Sequence, residues 1–238
     1  MSGHSHFATI KHKKAASDAQ RGKEFSKLAK ELTIAARDGG GDPVANYRLR
    51  MVIDKAKGIN MPAINIDRAV KKGTGELEGE QLEEILVEGY GPDGIALLIE
   101  GITDNKNRSL GEIRMILEKN QGKMVGEGAV QWMFERKGSI GLLPQEKDRE
   151  EIEMTAIDAG ADDLYWHTDG FLEIYTTPTE LDAVKTAIEK QGLKVESASL
   201  DWIPKERVAI NKKEAAESLF EALDEGDSVQ DVYSNLQT

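Results

Sequence analysis

Ser139-Ile140-Gly141-Leu142-Leu143 begins the stretch whose reading decides the fold. A short run rich in Ile and Leu beside turn residues reads as a buried strand. The residues beyond it alternate in type: a helix over 148–159, strands over 163–167 and 171–176 joined by the Asp169-Gly170 turn, a helix over 179–191 and a strand over 194–202. The order is βαββαβ. This is the ferredoxin-like signature, an antiparallel four-stranded sheet with both helices on one face.

The flanks of this unit depend on each other. Before it, Glu76 to Glu84 reads as an acidic, Gly-containing linker. Strands over 82–89 and 95–102 then flank Tyr90-Gly91-Pro92-Asp93-Gly94, which has the residues of a hairpin turn. A helix over 109–120 and short extended pieces over 123–134 complete a ββαβ run. After the unit come a strand over 207–210 and a helix over 211–223 whose stripe of Ala215, Leu219, Phe220 and Leu223 has nothing of its own to pack on. That stripe needs the earlier ββαβ run as its host. The expected division is therefore a helical module over 1–75, a discontinuous α+β domain over 76–137 and 204–238, and an inserted domain over 138–203.

The first module reads as three short helices. Phe25, Leu28, Leu32, Ala35 and Ala36 recur at helical spacing over 17–38, with Ser17 and Gln20 as a capping box and Gly39-Gly40-Gly41 as the stop. Asp42-Pro43 reads as the cap and first turn of a second helix to Lys57, with Leu49, Val52, Ile53 and Ala56 inward. Pro62 starts a third through Ile66, Ala69 and Val70 to Lys72, with Gly73 past its end. The fold class is thus α+β multidomain, a three-helix bundle followed by a discontinuous domain carrying the ferredoxin-like insertion.

Charge is segregated along this plan. Residues 1–75 hold 15 Lys+Arg against 7 Asp+Glu, whereas the remaining 163 hold 16 against 36, so a chain of net −12 has one basic end. Such an end can approach a polyanion that the rest repels. No acid precedes Asp18, and His4, His6, Phe7, Lys11, His12, Lys13 and Lys14 read as an arm, with the lysines neutralising phosphates and the rings bonding to or stacking on nucleotides. A solvated basic tail and a histidine metal site are the competing readings of the same residues. At 100° per residue, Lys23, Lys27, Lys30 and Arg37 fall within about 80° of one another, opposite Phe25 and Leu32, as a further phosphate face or a solvated one. Arg48 and Arg50 are the candidates for reading base edges, and Lys55, Lys57, Lys71 and Lys72 suggest phosphate contact. Gly39-Gly40-Gly41 could cradle a phosphate or simply connect helices.

Gly3-His4-Ser5, Ile10-Lys11-His12-Lys13, Gly39-Gly40-Gly41-Asp42-Pro43, Lys71-Lys72-Gly73-Thr74-Gly75, Glu88-Gly89-Tyr90-Gly91-Pro92, Thr103-Asp104-Asn105-Lys106-Asn107-Arg108 and Gly126-Glu127-Gly128-Ala129-Val130 together resemble the YebC/PmpR family over nearly the whole chain. His6 and Phe7 stand where that family usually has Lys or Arg and Trp. The resemblance implies three domains with the third inserted in the second. It also implies a non-enzymatic cytoplasmic regulator of gene expression, a DNA-binding transcriptional regulator in many bacteria and a translational activator in mitochondrial relatives.

Other chemistry finds little support. With no Cys there are no thiolate metal sites, cysteine nucleophiles or disulfides, and the composition fits a reducing compartment. No apolar run is long enough to span a membrane or serve as a signal peptide, so the cytoplasm is the expected location. Glu150, Glu151 and Glu153, and Asp158, Asp162 and Asp163, read as a helix surface and a turn before they read as catalytic or metal sites. His167 lacks a Ser or Cys partner in any motif and reads as structural. No catalytic residue, metal or cofactor is expected. The ferredoxin-like strands lack the aromatic RNA-binding motif of RRM domains. The preferred partner is structured RNA, ribosomal RNA above all. Duplex DNA is the alternative, ribosomal proteins are possible additional partners, and a protein adaptor with no nucleic-acid contact is a third class.

Overall fold

In the computed structural model, residues 18–143 and 147–237 are described, with side chains from residue 21 onward. The bundle comprises α1 (Asp18–Gly39), α2 (Tyr47–Gly58) and α3 (Ala63–Gly73). Leu28, Leu32, Ala35 and Ala36 of α1 pack on Leu49, Val52 and Ala56 of α2 and on Ile66 and Ala69 of α3, as the apolar spacing requires. The helix α3 lies close against α1. A Cβ on Gly73 would run into the Thr33 carbonyl and sit 2.8 Å from Ala36 Cβ, while Thr33 Oγ1 donates to Ala69 O at 3.1 Å.

The second helix starts later than Asp42-Pro43 suggests. Asn46 caps it by accepting from Leu49 N at 3.0 Å, and its amide donates to Ala35 O at 2.7 Å and Gly40 O at 2.8 Å. Asp42 instead accepts from Val44 N at 2.9 Å, closing a turn over 43–45. One buried Asn that satisfies three backbone groups is a better cap than an exposed Asp bonded to one.

Two antiparallel sheets come after the bundle. The first contains β1 (Glu83–Tyr90), β2 (Ala96–Thr103), β3 (Lys123–Met124) and β8 (Val229–Ser234) in the order β3-β1-β2-β8. On one face, α4 (Lys106–Lys119) and α7 (Lys213–Asp224) bury Ile113, Leu117, Leu219 and Leu223 against Ile85, Val87, Leu97, Ile99 and Val232. The strand expected at 207–210 does not form. Val208 makes a single parallel bridge to Leu236, and the edge strand is β8, which the sequence pattern does not announce. A register shift opposite Glu100 and Gly101 interrupts the alternation of β8, hiding the period-two pattern that marks a strand.

The second sheet has the order β5-β6-β4-β7, made of β4 (Phe134–Leu142), β5 (Asp163–Trp166), β6 (Leu172–Thr176) and β7 (Ser197–Pro204), all antiparallel. α5 (Arg149–Asp158) and α6 (Leu181–Lys190) cover one face through Ile152, Ala156, Leu181, Val184 and Ile188. This is the ferredoxin-like unit expected from the pattern, with its first strand beginning at Phe134 instead of Ser139. Phe134 and Trp202 also pack with Ala96, Leu98 and Tyr233 on the face of the first sheet that the helices leave open, so the two sheets share a seam.

Candidate nucleic-acid interface

The basic face of α1 is turned toward the body of the molecule. Lys23 Nζ donates to the Glu225 carbonyl at 3.2 Å, Lys27 Nζ to the Asp224 carbonyl at 2.7 Å and to Asp224 Oδ1 at 3.2 Å, and Lys30 Nζ to the Asp227 carbonyl at 2.9 Å. These carbonyls lie at and just beyond the C-terminus of α7, where a helix leaves acceptors without intrahelical partners and its dipole is negative. The lysines therefore satisfy groups that the fold itself exposes. Ile34, on the same stripe of α1, is fully buried. It is the signal that could have marked this face as a docking surface, because an apolar residue in line with three lysines is out of place on a face meant for water or phosphate.

Further along α1, Glu31 accepts from Lys55 Nζ at 3.3 Å. Burial raises the Glu31 carboxyl above its ordinary range, and the charge of Asp231 on β8 adds to this while Lys55 opposes it. On the body side, Glu100 collects Arg136 at 2.9 Å, Trp202 Nε1 at 2.9 Å and Tyr233 Oη at 3.3 Å. Nearby Asp201 is only 5% exposed. Burial, then the charges of Asp231 and Glu173, push its carboxyl up to about 7, against the Ser199 hydrogen bond and Arg136.

The two arginines proposed as base readers are also engaged. Arg48 pairs with Glu84 at the start of β1 and with Asp38 at 3.5 Å. Arg50 bonds Asp182 of α6 at 3.0 Å and the Pro43 carbonyl at 3.2 Å, and its guanidinium lies 5.1 Å from the centre of the Tyr47 ring. Tyr47 and Met51 pack on the core of the ferredoxin-like unit, so this side of α2 serves as a wedge between domains. Burial, with the charge of Asp182, holds the Tyr47 phenol up to about 12. Arg37 bonds Asp38 and the Leu82 carbonyl, fastening α1 to the start of the first sheet.

On α3, Lys71 pairs with Asp67 at 2.8 Å, and that hydrogen bond and charge raise its ammonium above its ordinary value. Lys72 is exposed one position further on, and so is Arg68, which no sequence motif singles out. His4, His6, Lys11, His12, Lys13 and Lys14 lie outside the described residues.

Two glycine-rich stretches have internal explanations. A Cβ on Gly39 would sit 2.6 Å from the Asn46 amide nitrogen, and Gly40 has φ +85, so the loop over 39–41 is shaped by the helix connection. The second, over 126–131, wraps the Glu88 carboxylate, which accepts from Gly128 N at 2.5 Å, Val130 N at 2.6 Å and Gln131 N at 2.9 Å. Burial works to raise the Glu88 carboxyl, but these N–H groups prevail and lower it. The chain's own acid thus occupies its clearest anion nest. His167 is buried with its Nε2 3.4 Å from Glu173, and Glu173 in turn accepts from Tyr175 Oη at 2.5 Å. Among the described residues, no group of three or more His, Asp or Glu could hold a metal ion, and no helix is long and apolar enough to cross a membrane.

Comparison with known proteins matches this architecture end to end. Residues 5–76 match the TACO1/YebC N-terminal domain and residues 82–236 the TACO1/YebC second and third domain. A probable transcriptional regulatory protein of Persephonella marina is 49% identical over 241 residues, covering 100% of this chain and 96% of the relative. One of Geobacter sulfurreducens, similarly named, is 49% identical over 237 residues, covering 99% and 95%. The crystal structure of a conserved hypothetical protein from Aquifex aeolicus superposes with a TM-score of 0.87 at 47% identity, covering 98% of this chain and 97% of that one. With both family domains matched in order and relatives near half identity over full length, the chain belongs to the TACO1/YebC family.

Proposed function

We propose that this protein is a non-enzymatic, cytoplasmic nucleic-acid-binding regulator of gene expression whose N-terminal module contacts structured RNA, ribosomal RNA above all, while the acidic body faces away from the polyanion or toward basic ribosomal proteins. The observation that carries this reading is the charge segregation, 15 Lys+Arg against 7 Asp+Glu in residues 1–75 and 16 against 36 in the rest. A body that acidic discourages coating of nucleic acid and confines contact to one end. Structured RNA is preferred over promoter DNA because Arg48 and Arg50, the candidates for a base-reading helix, are drawn into ion pairs within the chain. In this reading Lys11, Lys13 and Lys14 of the arm neutralise phosphates, and His4, His6 and His12 bond to or stack on nucleotides.

The relatives' names favour the second reading, a transcriptional regulator on duplex DNA. Co-sedimentation with ribosomes from lysate, beside a salt-matched titration of duplex DNA, separates the two. Ribosome association that is lost when Lys11, Lys13 and Lys14 are reversed to Glu, with weak and sequence-blind DNA binding, is the expected result. Tight, sequence-selective duplex binding without ribosome association would contradict it.

A further inference from the structure

Between residues 21 and 75, most cations are engaged within the chain: Lys23, Lys27 and Lys30 on carbonyls beyond α7, Arg37 on Asp38 and the Leu82 carbonyl, Arg48 on Glu84, Arg50 on Asp182, Lys55 on Glu31 and Lys71 on Asp67. Among the described residues, the side chains of Arg68 and Lys72 make no ion pair or hydrogen bond. Arg21 and Lys57 make none either, but neither has a second such cation one turn away on its helix. Arg68 and Lys72 are both exposed, and at 100° per residue Arg68 points about 130° away from the midpoint of buried Ile66 and Ala69 and Lys72 about 90°, on the flank of the helix. Ile64 completes the row at 66% exposure. Positions 64, 68 and 72 are successive i, i+4 neighbours, so they form a single line along the helix.

We propose that this line, Ile64, Arg68 and Lys72 on the solvent face of α3, is the surface through which the bundle grips a nucleic-acid backbone. The inference rests on the nucleic-acid reading given above and assigns to it a place on the folded module. Three considerations favour a nucleic-acid occupant. The cations sit four residues, about 6 Å, apart along the axis, a spacing suited to successive phosphates of one strand. Their charge is not cancelled within the chain, so a polyanion gains counterion release from each of them. An exposed isoleucine in line with them can lie against a sugar or base edge, a contact that water does not reward. On α1 the lysines have already exchanged water for fixed carbonyls, and a phosphate would have to displace those bonds before gaining its own.

The test measures log affinity against log salt for the full chain with a fluorescein-labelled RNA hairpin, and in parallel with a duplex DNA of similar length. Arg68→Glu with Lys72→Glu should weaken binding tenfold or more at low salt and flatten the slope by about 1.4 to 1.8, corresponding to two lost phosphate contacts. Thermal unfolding should be unchanged, since neither side chain is buried, and Arg68→Lys with Lys72→Arg should bind like wild type. Lys23→Gln, Lys27→Gln and Lys30→Gln together should leave the slope as it is. Wild-type binding with an unaltered slope in the Arg68/Lys72 double variant would overturn the α3 surface and leave the nucleic-acid reading standing. Absence of any RNA or DNA binding by wild type at low salt would overturn both.

Discussion

The helices α1 and α3 present basic faces of similar composition, and their fates differ because of what shares each stripe. On α1 the row of Lys23, Lys27 and Lys30 continues into fully buried Ile34 and ends on the unsatisfied carbonyls beyond α7. On α3 the row of Arg68 and Lys72 continues into exposed Ile64 and makes no ion pair or hydrogen bond among the described residues, the Lys72 stem lying beside Gly79 of the linker. Lysine content alone does not distinguish a docking face from a binding face. The residue at the next helical position and the acceptors opposite it do.

The largest expected effect comes from the body side of the seam and separates stability from binding. The Asp201 carboxyl stands at about 7 against an ordinary 3.8, so the folded protein keeps a proton there that the unfolded chain releases. Its contribution therefore declines as pH rises from about 4 to 7, because in that window the native state binds more protons. Asp201→Asn should remove the decline, making the variant more stable than wild type by up to a few kcal/mol at pH 8 and little changed near pH 4. Chemical denaturation at several pH values checks this, and RNA affinity should stay the same, since Asp201 touches neither basic face.

A second substitution attacks the join between the two helices. Gly73→Ala puts a methyl group into the Thr33 carbonyl and against Ala36, costing about 1 to 3 kcal/mol as α3 is forced off α1. Thermal unfolding should report the loss, and an undiminished Tm would show that the two helices are less closely coupled than their packing implies. The smallest effect is expected at the docking contact. Lys27 and Asp224 are 15% and 19% exposed at their side chains, so Lys27→Gln should cost about 1 to 2 kcal/mol, more than an open surface pair and less than a fully buried one. Faster proteolysis in the linker over 76–82 would reveal the loosened bundle. Cleavage at the wild-type rate would mean that Ile34, Lys23 and Lys30 hold α1 in place without Lys27.

Much of the fold was legible in the sequence because its signals are local. The βαββαβ order comes from the change of period between Ser139 and Trp202, and the three helices from apolar spacing and the Gly and Pro residues around them. The last strand was not legible: Gln230 and Asp231 lie between Val229 and Val232, and the register shift at Glu100 removes the strict alternation. The charge segregation was readable from counting, yet the availability of each cation was not. Whether Lys27 meets water or Asp224 depends on a contact 197 positions away, and no local pattern encodes it except the misplaced Ile34. Arg68 escaped notice because it stands alone between Asp67 and Ala69, and only the closure of the other basic faces makes it conspicuous.

Lysine acetylation footprinting by mass spectrometry, with and without a saturating RNA hairpin, tests the difference between the two faces most directly. In the free protein Lys72 should label quickly and Lys27 slowly. On binding, Lys72 should become protected while the rates at Lys23, Lys27 and Lys30 stay unchanged. Labelling of Lys27 as fast as Lys72 in the free protein, or RNA protection that appears on Lys23, Lys27 and Lys30 and spares Lys72, would contradict the account.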